Sequence, residues 1–115
     1  MNDEMKNSPI DVAAFAELEA SAGADFAREL IVTFLEEAPT MLAELRAAFA
    51  AGKADVFRRS AHSLKSNSLT FGALALAAQA RELELQGMPA DATALDRLDV
   101  EYARTAAALT ELRHG

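Results

Sequence analysis

The apolar residues between positions 25 and 51 constrain the fold most, because they recur at helical spacing over many turns. They are Leu30, Ile31, Phe34, Leu35, Ala38, Leu42, Leu45 and Phe49. This spacing places one apolar stripe along a helix, which we predict to run from about Asp25 to Ala51. Pro39 removes one backbone donor inside the stripe, so we expect a kink there. Gly52 suits the C-terminal cap.

Four other segments show the same helical pattern. We predict a short helix from about Asp11 to Ala20, with Val12, Phe15 and Leu18 on one side, ended by Ser21-Ala22-Gly23. Further helices are predicted from about Ala54 to Thr70, from beyond Gly72 to about Gln86, and, after Gly87-Met88-Pro89, from about Ala92 to Leu112. Amphipathic helices joined by short turns predict an all-α fold, an antiparallel up-down four-helix bundle with a short extra N-terminal helix.

Composition narrows the classes of function. The 115 residues include no cysteine, which excludes structural Cys-zinc sites, thiol catalysis and disulfides. The net charge of −7 argues against nucleic acid or an anionic membrane as the main partner. We expect a disordered lead-in over residues 1–8 and a single helical domain over residues 9–115. Without a signal region or a long apolar run, the chain is expected to be soluble and cytoplasmic. The first Met and the short lead-in favour a free-standing protein.

The third predicted helix carries His62 on its exposed side. At about 100° per residue, the core face is formed by Val56, Phe57, Ser60, Leu64, Ser68 and Phe71. His62 lies roughly opposite that face. Its neighbours within about 60° are Arg58, Arg59, Lys65, Ser66 and Leu69. We therefore predict that His62 stands in solvent beside three cations, while Ser60 and Ser68 serve packing.

Three cations beside one imidazole favour a specific chemistry. They disfavour the protonated ring and would stabilise a dianion placed on it, so the arrangement suits a phosphoryl acceptor. Metal binding would need the opposite electrostatics and a second ligand at helical spacing. The small Ser66 would let a partner approach closely. The alternative is that this is an ordinary solvated face, as around most surface histidines. His114, near the C-terminus, is assigned no role.

The residues around His62 resemble the histidine-containing phosphotransfer (Hpt) domains of bacterial phosphorelays. The similarity runs over Arg59-x-Ala61-His62-Ser63-Leu64-Lys65-Ser66-Asn67-Ser68, then Gly72-Ala73, then Leu83-Glu84, and the helix pattern extends it over nearly the whole chain. One position departs from the family, which most often has Gly where this chain has Ser66. The change could alter which partner docks.

The resemblance implies roles for individual residues. His62 would accept the phosphoryl group, Lys65 would neutralise its oxygens, and Glu84 would hydrogen-bond the other ring nitrogen. In an antiparallel pair that turns near Gly72, the fourth helix passes His62 around Ala80 to Glu84, which independently agrees with this role. Glu84 could equally be an ordinary surface charge. Residues expected to contact a partner are Arg58, Arg59, Ser66 and Leu69.

The partners implied by the resemblance are receiver domains of response regulators or hybrid histidine kinases. A receiver aspartate would give the phosphoryl group to His62, which would pass it to another receiver. The receiver would supply magnesium, so we expect no metal or cofactor in this chain, and a monomer. Without a glycine-rich nucleotide loop, neither kinase nor ATPase activity is expected.

Three other functions remain open from the sequence. A helical adaptor could bind receiver or kinase domains through the same face without any chemistry. The dimerising histidine domain of a sensor kinase usually has two helices per chain and precedes an ATPase domain, which this chain has no room for. A hydrolase or metalloenzyme would need a second catalytic group that the sequence does not show.

Overall fold

The computed structural model describes residues 9–114, so the disordered lead-in predicted for residues 1–8 lies outside the described residues. Five helices follow one another: α1 (Val12–Ala22), α2 (Ala24–Ala51), α3 (Ala54–Thr70), α4 (Leu74–Gln86) and α5 (Thr93–His114). Within this part of the chain there is no strand. Helix α3 packs between α2 and α4, and α5 packs against both α2 and α4. The predicted all-α bundle with an extra N-terminal helix is confirmed.

Two helices begin or end at residues other than those predicted. Helix α1 continues through Ser21 and Ala22, and Gly23 ends it with a φ of 94° and a 2.8 Å hydrogen bond from its N–H to the Glu19 carbonyl. Helix α5 starts at Thr93, one residue later than predicted, and extends past Leu112. The Asp91 carboxylate accepts from the Thr93 N–H at 2.9 Å, and this side-chain bond marks the start of the helix.

The first helix buries different residues from those expected. Phe15 is buried, but Val12 is 52% exposed. Ile10 is instead buried, although it precedes the helix. Asp11 caps α1 by accepting from the Ala13 N–H at 3.0 Å. The extended backbone at this cap turns Ile10 inward, so Ile10 supplies the apolar contact expected of Val12.

The core lies where the helical periodicity placed it. Phe34 on α2 contacts Phe71 and Tyr102, with ring centroids 5.3 and 6.1 Å apart. The inner faces of the other helices contribute Phe57, Leu64, Leu76, Ala80, Leu83, Leu95, Leu98 and Leu109. Ser68 is also buried, as predicted, and its hydroxyl donates to the Leu64 carbonyl at 2.7 Å. Because that donor is satisfied within its own helix, Ser68 is tolerated in the core.

Helix α2 remains continuous through Pro39, which is exposed. The kink expected at Pro39 stays a prediction. Farther along α2, Arg46 joins this helix to α5. Its Nη2 atom lies 2.7 Å from Asp96 Oδ1 and 2.6 Å from Asp99 Oδ2. The two carboxylates hold one guanidinium between the two helices. This charge-assisted contact fixes α5 against α2.

The turn between α3 and α4 contains a close backbone approach at Gly72. Its carbonyl accepts from the Asp11 N–H at 2.7 Å, and its φ is +71°. A Cβ atom at this position would lie 2.8 Å from Ala14 Cβ and 3.0 Å from the Asp11 carbonyl oxygen. Glycine is therefore required twice, by the left-handed backbone and by the proximity of α1. The short turn aligns α3 with α4 in antiparallel register.

We expect Gly72→Ala to lower the free energy of unfolding by about 3 kcal/mol, from left-handed strain plus steric overlap. Urea denaturation measures the loss. The matched control is Gly52→Ala at the end of α2, where φ is +69° but nothing lies within 4 Å of a new Cβ. That control should lose only about 1 kcal/mol. Equal losses in the two variants would mean that the contact with α1 contributes nothing.

Candidate functional site

His62 lies on the outer side of α3, and its side chain is 58% exposed. The inner side of the same helix carries the buried Phe57 and Leu64, so the ring points away from the core. Its Nδ1 atom lies 2.7 Å from Oε2 of Glu84 on α4. The sequence-based placement of His62 on the exposed face is therefore correct. The antiparallel pairing of α3 and α4 also brings Glu84 to the ring.

Glu84 connects two nitrogen groups of α3. Its Oε2 contacts His62, and its Oε1 lies 2.8 Å from the Lys65 ammonium. The carboxylate side chain is only 17% exposed. The hydrogen bond from Lys65, followed by that from His62, holds the pKa of Glu84 below its usual value. Glu84 is therefore a carboxylate at neutral pH and can act only as an acceptor.

An ionised acceptor at Nδ1 determines the tautomer of the neutral ring. The hydrogen must lie on Nδ1, because the Glu84 carboxylate has none to donate. The other ring nitrogen, Nε2, then has a free lone pair on the opposite edge of the exposed imidazole. A nitrogen with a lone pair, standing at the surface and oriented through its partner nitrogen, has the form of an activated nucleophile.

Lys65 takes a position that the sequence interpretation did not specify. Its side chain is 23% exposed and bends toward α4, where the ammonium binds Glu84. The charge therefore lies beside the ring's own carboxylate partner, one turn along α3 from His62. His62, Lys65 and Glu84, hereafter the His–Lys–Glu cluster, are the three predicted site residues that the structure brings into contact.

The other two predicted cations, Arg58 and Arg59, contact Asp55. Arg58 Nη2 lies 3.9 Å from Asp55 Oδ1, and Arg59 Nε donates to the Asp55 carbonyl oxygen at 3.4 Å. Both arginines are exposed on the outer side of α3, as predicted. Of the three predicted cations, Lys65 shares a carboxylate with the imidazole, whereas the contacts of Arg58 and Arg59 are with Asp55 in the first turn of the helix.

The remaining predicted contact residues lie at the surface beside the ring. Ser66 is exposed, and Leu69 is 51% exposed. Asn67, which had no assigned role, bonds back to the Ser63 carbonyl at 2.8 Å and contacts the Met41 sulfur at 3.9 Å. Arg81 on α4 also had no place in the interpretation. The sequence could have indicated Arg81 through its spacing, because it lies three residues before Glu84 and residues at i and i+3 share one side of a helix.

Two features are absent from residues 9–114: a membrane-spanning helix and a group of metal-binding side chains. No helix there combines the length and the apolar character that crossing a membrane requires. Nor does that part of the chain bring together three His, Asp or Glu side chains in a group able to hold a metal ion.

We expect ionised Glu84 to stabilise the fold in a pH-dependent way. Because its pKa is lowered in the folded state, the stabilisation is present above the ordinary glutamate pKa of about 4.3 and is lost as pH falls through the folded value. The difference in unfolding free energy between wild type and Glu84→Gln should therefore shrink below about pH 4.3. Urea unfolding at several pH values measures it.

The control variant Glu82→Gln removes an exposed carboxyl from the same helix and reports the effect of net charge alone. A difference between wild type and Glu84→Gln that persisted unchanged through the acidic range would show that Lys65 and His62 do not stabilise this carboxylate.

Comparisons with known proteins identify the family and the fold. The family model described as Hpt domain matches residues 29–113. Among solved structures, the chain is similar to the crystal structure of histidine-containing phosphotransfer protein B (HptB) from Pseudomonas aeruginosa PAO1. The TM-score is 0.85 at 27% sequence identity, over 94% of this chain and 96% of that one. No curated protein matches the sequence. The protein therefore belongs to the Hpt domain family, and it is a histidine phosphotransfer protein of phosphorelay signalling.

Proposed function

We propose that His62 is the phosphoacceptor of this protein and that Nε2 is its reacting atom. The observation that supports this most directly is the 2.7 Å contact between Nδ1 and Glu84, because it directs the lone pair to the opposite nitrogen. The exposure of the ring gives a partner protein access to that atom. In this proposal Glu84 is a positioning residue, since it acts through the imidazole.

The donor is the phosphorylated aspartate of a receiver domain. Nε2 attacks the phosphorus in line, forming an N–P bond while the P–O bond to the aspartate breaks. The aspartate leaves as a carboxylate with the electron pair of that bond, and the proton stays on Nδ1. Glu84 stabilises the positive charge that develops on the ring. In the return step a carboxylate of another receiver attacks the phosphorus and the N–P bond breaks.

Lys65 supplies positive charge to the transferring group. Its ammonium lies on the same carboxylate as the ring, so a change of side-chain rotamer would let it contact the phosphoryl oxygens. Phosphoryl transfer depends on positioning and charge neutralisation more than on covalent assistance. Glu84, the carboxylate that contacts His62, already binds two nitrogen groups. We therefore assign the magnesium ion to the receiver.

The receiver would dock over the outer side of α3. Ser66 leaves room beside the ring, Leu69 offers apolar area, and Arg58 and Arg59 present positive charge at the other end of the footprint. The protein would act as a carrier without kinase or ATPase activity, as a monomer in the cytoplasm. Both directions of phosphoryl flow use the same surface.

The central prediction concerns the acceptor. When the protein is mixed with purified receiver domains carrying radiolabelled aspartyl phosphate, we expect acid-labile, alkali-stable label on the wild-type chain. His62→Gln should abolish it, because the nucleophilic nitrogen is lost. His114→Gln, which removes the other histidine of the sequence, should label like wild type. If receivers bind but no variant takes label, the protein is an adaptor without phosphotransfer.

Removal of the ammonium at position 65 should slow transfer without unfolding the chain. For Lys65→Ala we expect a rate about tenfold lower, as for the loss of one charge-assisted hydrogen bond of about 1.5 kcal/mol. Rapid-quench measurement of label transfer gives the rate, and circular dichroism checks the fold. Lys53→Ala, at the exposed start of α3, is the matched control. Equal rates in wild type and Lys65→Ala would remove Lys65 from the mechanism.

A further inference from the structure

A docked receiver must cover more than α3. A stable protein interface buries about 800 Å² on each partner, whereas one helix is only about 10 Å wide. The footprint around His62 therefore extends sideways onto one of the two helices that flank α3. These are α2 on one side and α4 on the other. The surfaces of the two flanks differ in charge and in exposed apolar area.

The α2 flank is acidic and mostly polar. A shallow groove of about 300 Å³ runs beside α3 there and is lined by Met41, Glu44, Val56, Arg59, Ser60 and Ser63. Glu44 is exposed, and so is Glu37 two turns earlier on the same side of α2. A phosphorylated receiver presents an aspartyl phosphate, whose phosphoryl group is anionic. Carboxylates at positions 37 and 44 would repel that partner.

The α4 flank offers exposed leucines and an arginine. Leu74, Arg81 and Leu85 lie within about 40° of one another around α4 and span roughly 16 Å of its length. Leu74 is 53% exposed and Leu85 66% exposed. Arg81 is exposed and forms no ion pair within residues 9–114. Apolar side chains with a central unpaired cation are the composition that suits an anionic partner.

Leu69 joins this stripe to His62. Leu69 lies about 20° from His62 around α3, on the side of Lys65, which faces α4 through its contact with Glu84. Leu69 lies in the last turn of α3 and Leu74 is the first residue of α4, so the two leucines lie at the same end of the α3–α4 pair. Arg81 is one turn before Glu84, between the turn and the ring. The exposed surface is thus continuous from His62 onto α4.

We propose that the receiver docks astride α3 and α4, with Leu69, Leu74 and Leu85 as its apolar contacts and Arg81 as an electrostatic contact for its acidic phosphorylation site. The inference rests on the proposed phosphoacceptor role of His62. The α3–α4 docking surface, defined by these four residues and His62, determines which receivers are used. The His–Lys–Glu cluster lies between the two helices and carries out the transfer.

The test separates docking from chemistry. A receiver that labels the wild-type chain serves as one donor, and phosphoramidate, a small molecule that needs no docking surface, serves as the other. For Arg81→Glu we expect kcat/KM with the receiver to fall at least about tenfold and to lose most of its salt dependence. The kcat at saturating receiver and the labelling by phosphoramidate should stay near the wild-type values.

The apolar contacts are tested by the double variant Leu74→Ser/Leu85→Ser, for which we expect kcat/KM to fall by about tenfold. The matched controls on α5 are Arg97→Glu and Val100→Ser, both at exposed positions, and these should transfer like wild type. Glu44→Arg probes the α2 flank and should not slow transfer.

Each outcome assigns the failure to one proposal. If wild type takes label from phosphoramidate and from the receiver, but Arg81→Glu and the leucine variant match the α5 controls, the docking surface on α4 is wrong. A Glu44→Arg variant that alone changes receiver transfer would place the partner over α2 instead. If the wild-type chain takes label from neither donor, the proposed phosphoacceptor role of His62 is wrong, and the docking proposal that rests on it is wrong too.

Discussion

The contact of Glu84 with both His62 and Lys65 is the interaction on which the site depends. One carboxylate orients the ring through Nδ1 and binds the nearest ammonium. The two groups come from the same helix and the carboxylate from the next, so the cluster exists only in the register that the α3–α4 turn sets. Helix packing, rather than any loop, therefore defines the chemistry. A site built on helices is positioned more precisely than one built on loops.

The register itself comes from the far side of the turn. Gly72 lets the backbone of α1 approach within hydrogen-bond distance, and Phe71 packs against Phe34 in the core. The short extra helix is thus part of the support for the site, although it contains none of its residues. On the other side of the bundle, Arg46 joins α2 to α5. Around His62, the cross-helix ionic contacts among residues 9–114 are those of Glu84.

The helices and the buried faces could be predicted because apolar periodicity reports them directly, as in α2 and α3. The pairing of His62 with Glu84 was also accessible, since antiparallel geometry and family resemblance agree on it. The partners of Arg58 and Arg59 were not, because a long side chain can reach several acceptors: Arg58 contacts the Asp55 carboxylate, and Arg59 donates to the Asp55 backbone carbonyl. The burial of Ile10 was not predicted, because it depends on the helix cap at Asp11 that follows it. Helical periodicity cannot indicate which residues are buried before a helix begins.

When the ring of His62 is neutral, the charges of the His–Lys–Glu cluster are one ammonium and one carboxylate, which cancel. A phosphoryl group on Nε2 would add close to two negative charges beside a carboxylate that is already ionised. One lysine cannot compensate both, and the surplus charge raises the free energy of the loaded protein. In the proposed mechanism, the phosphorylated chain would therefore hold its group only briefly and would release it to an acceptor that brings its own divalent cation. The carboxylate proposed to orient the ring for loading would therefore also favour unloading.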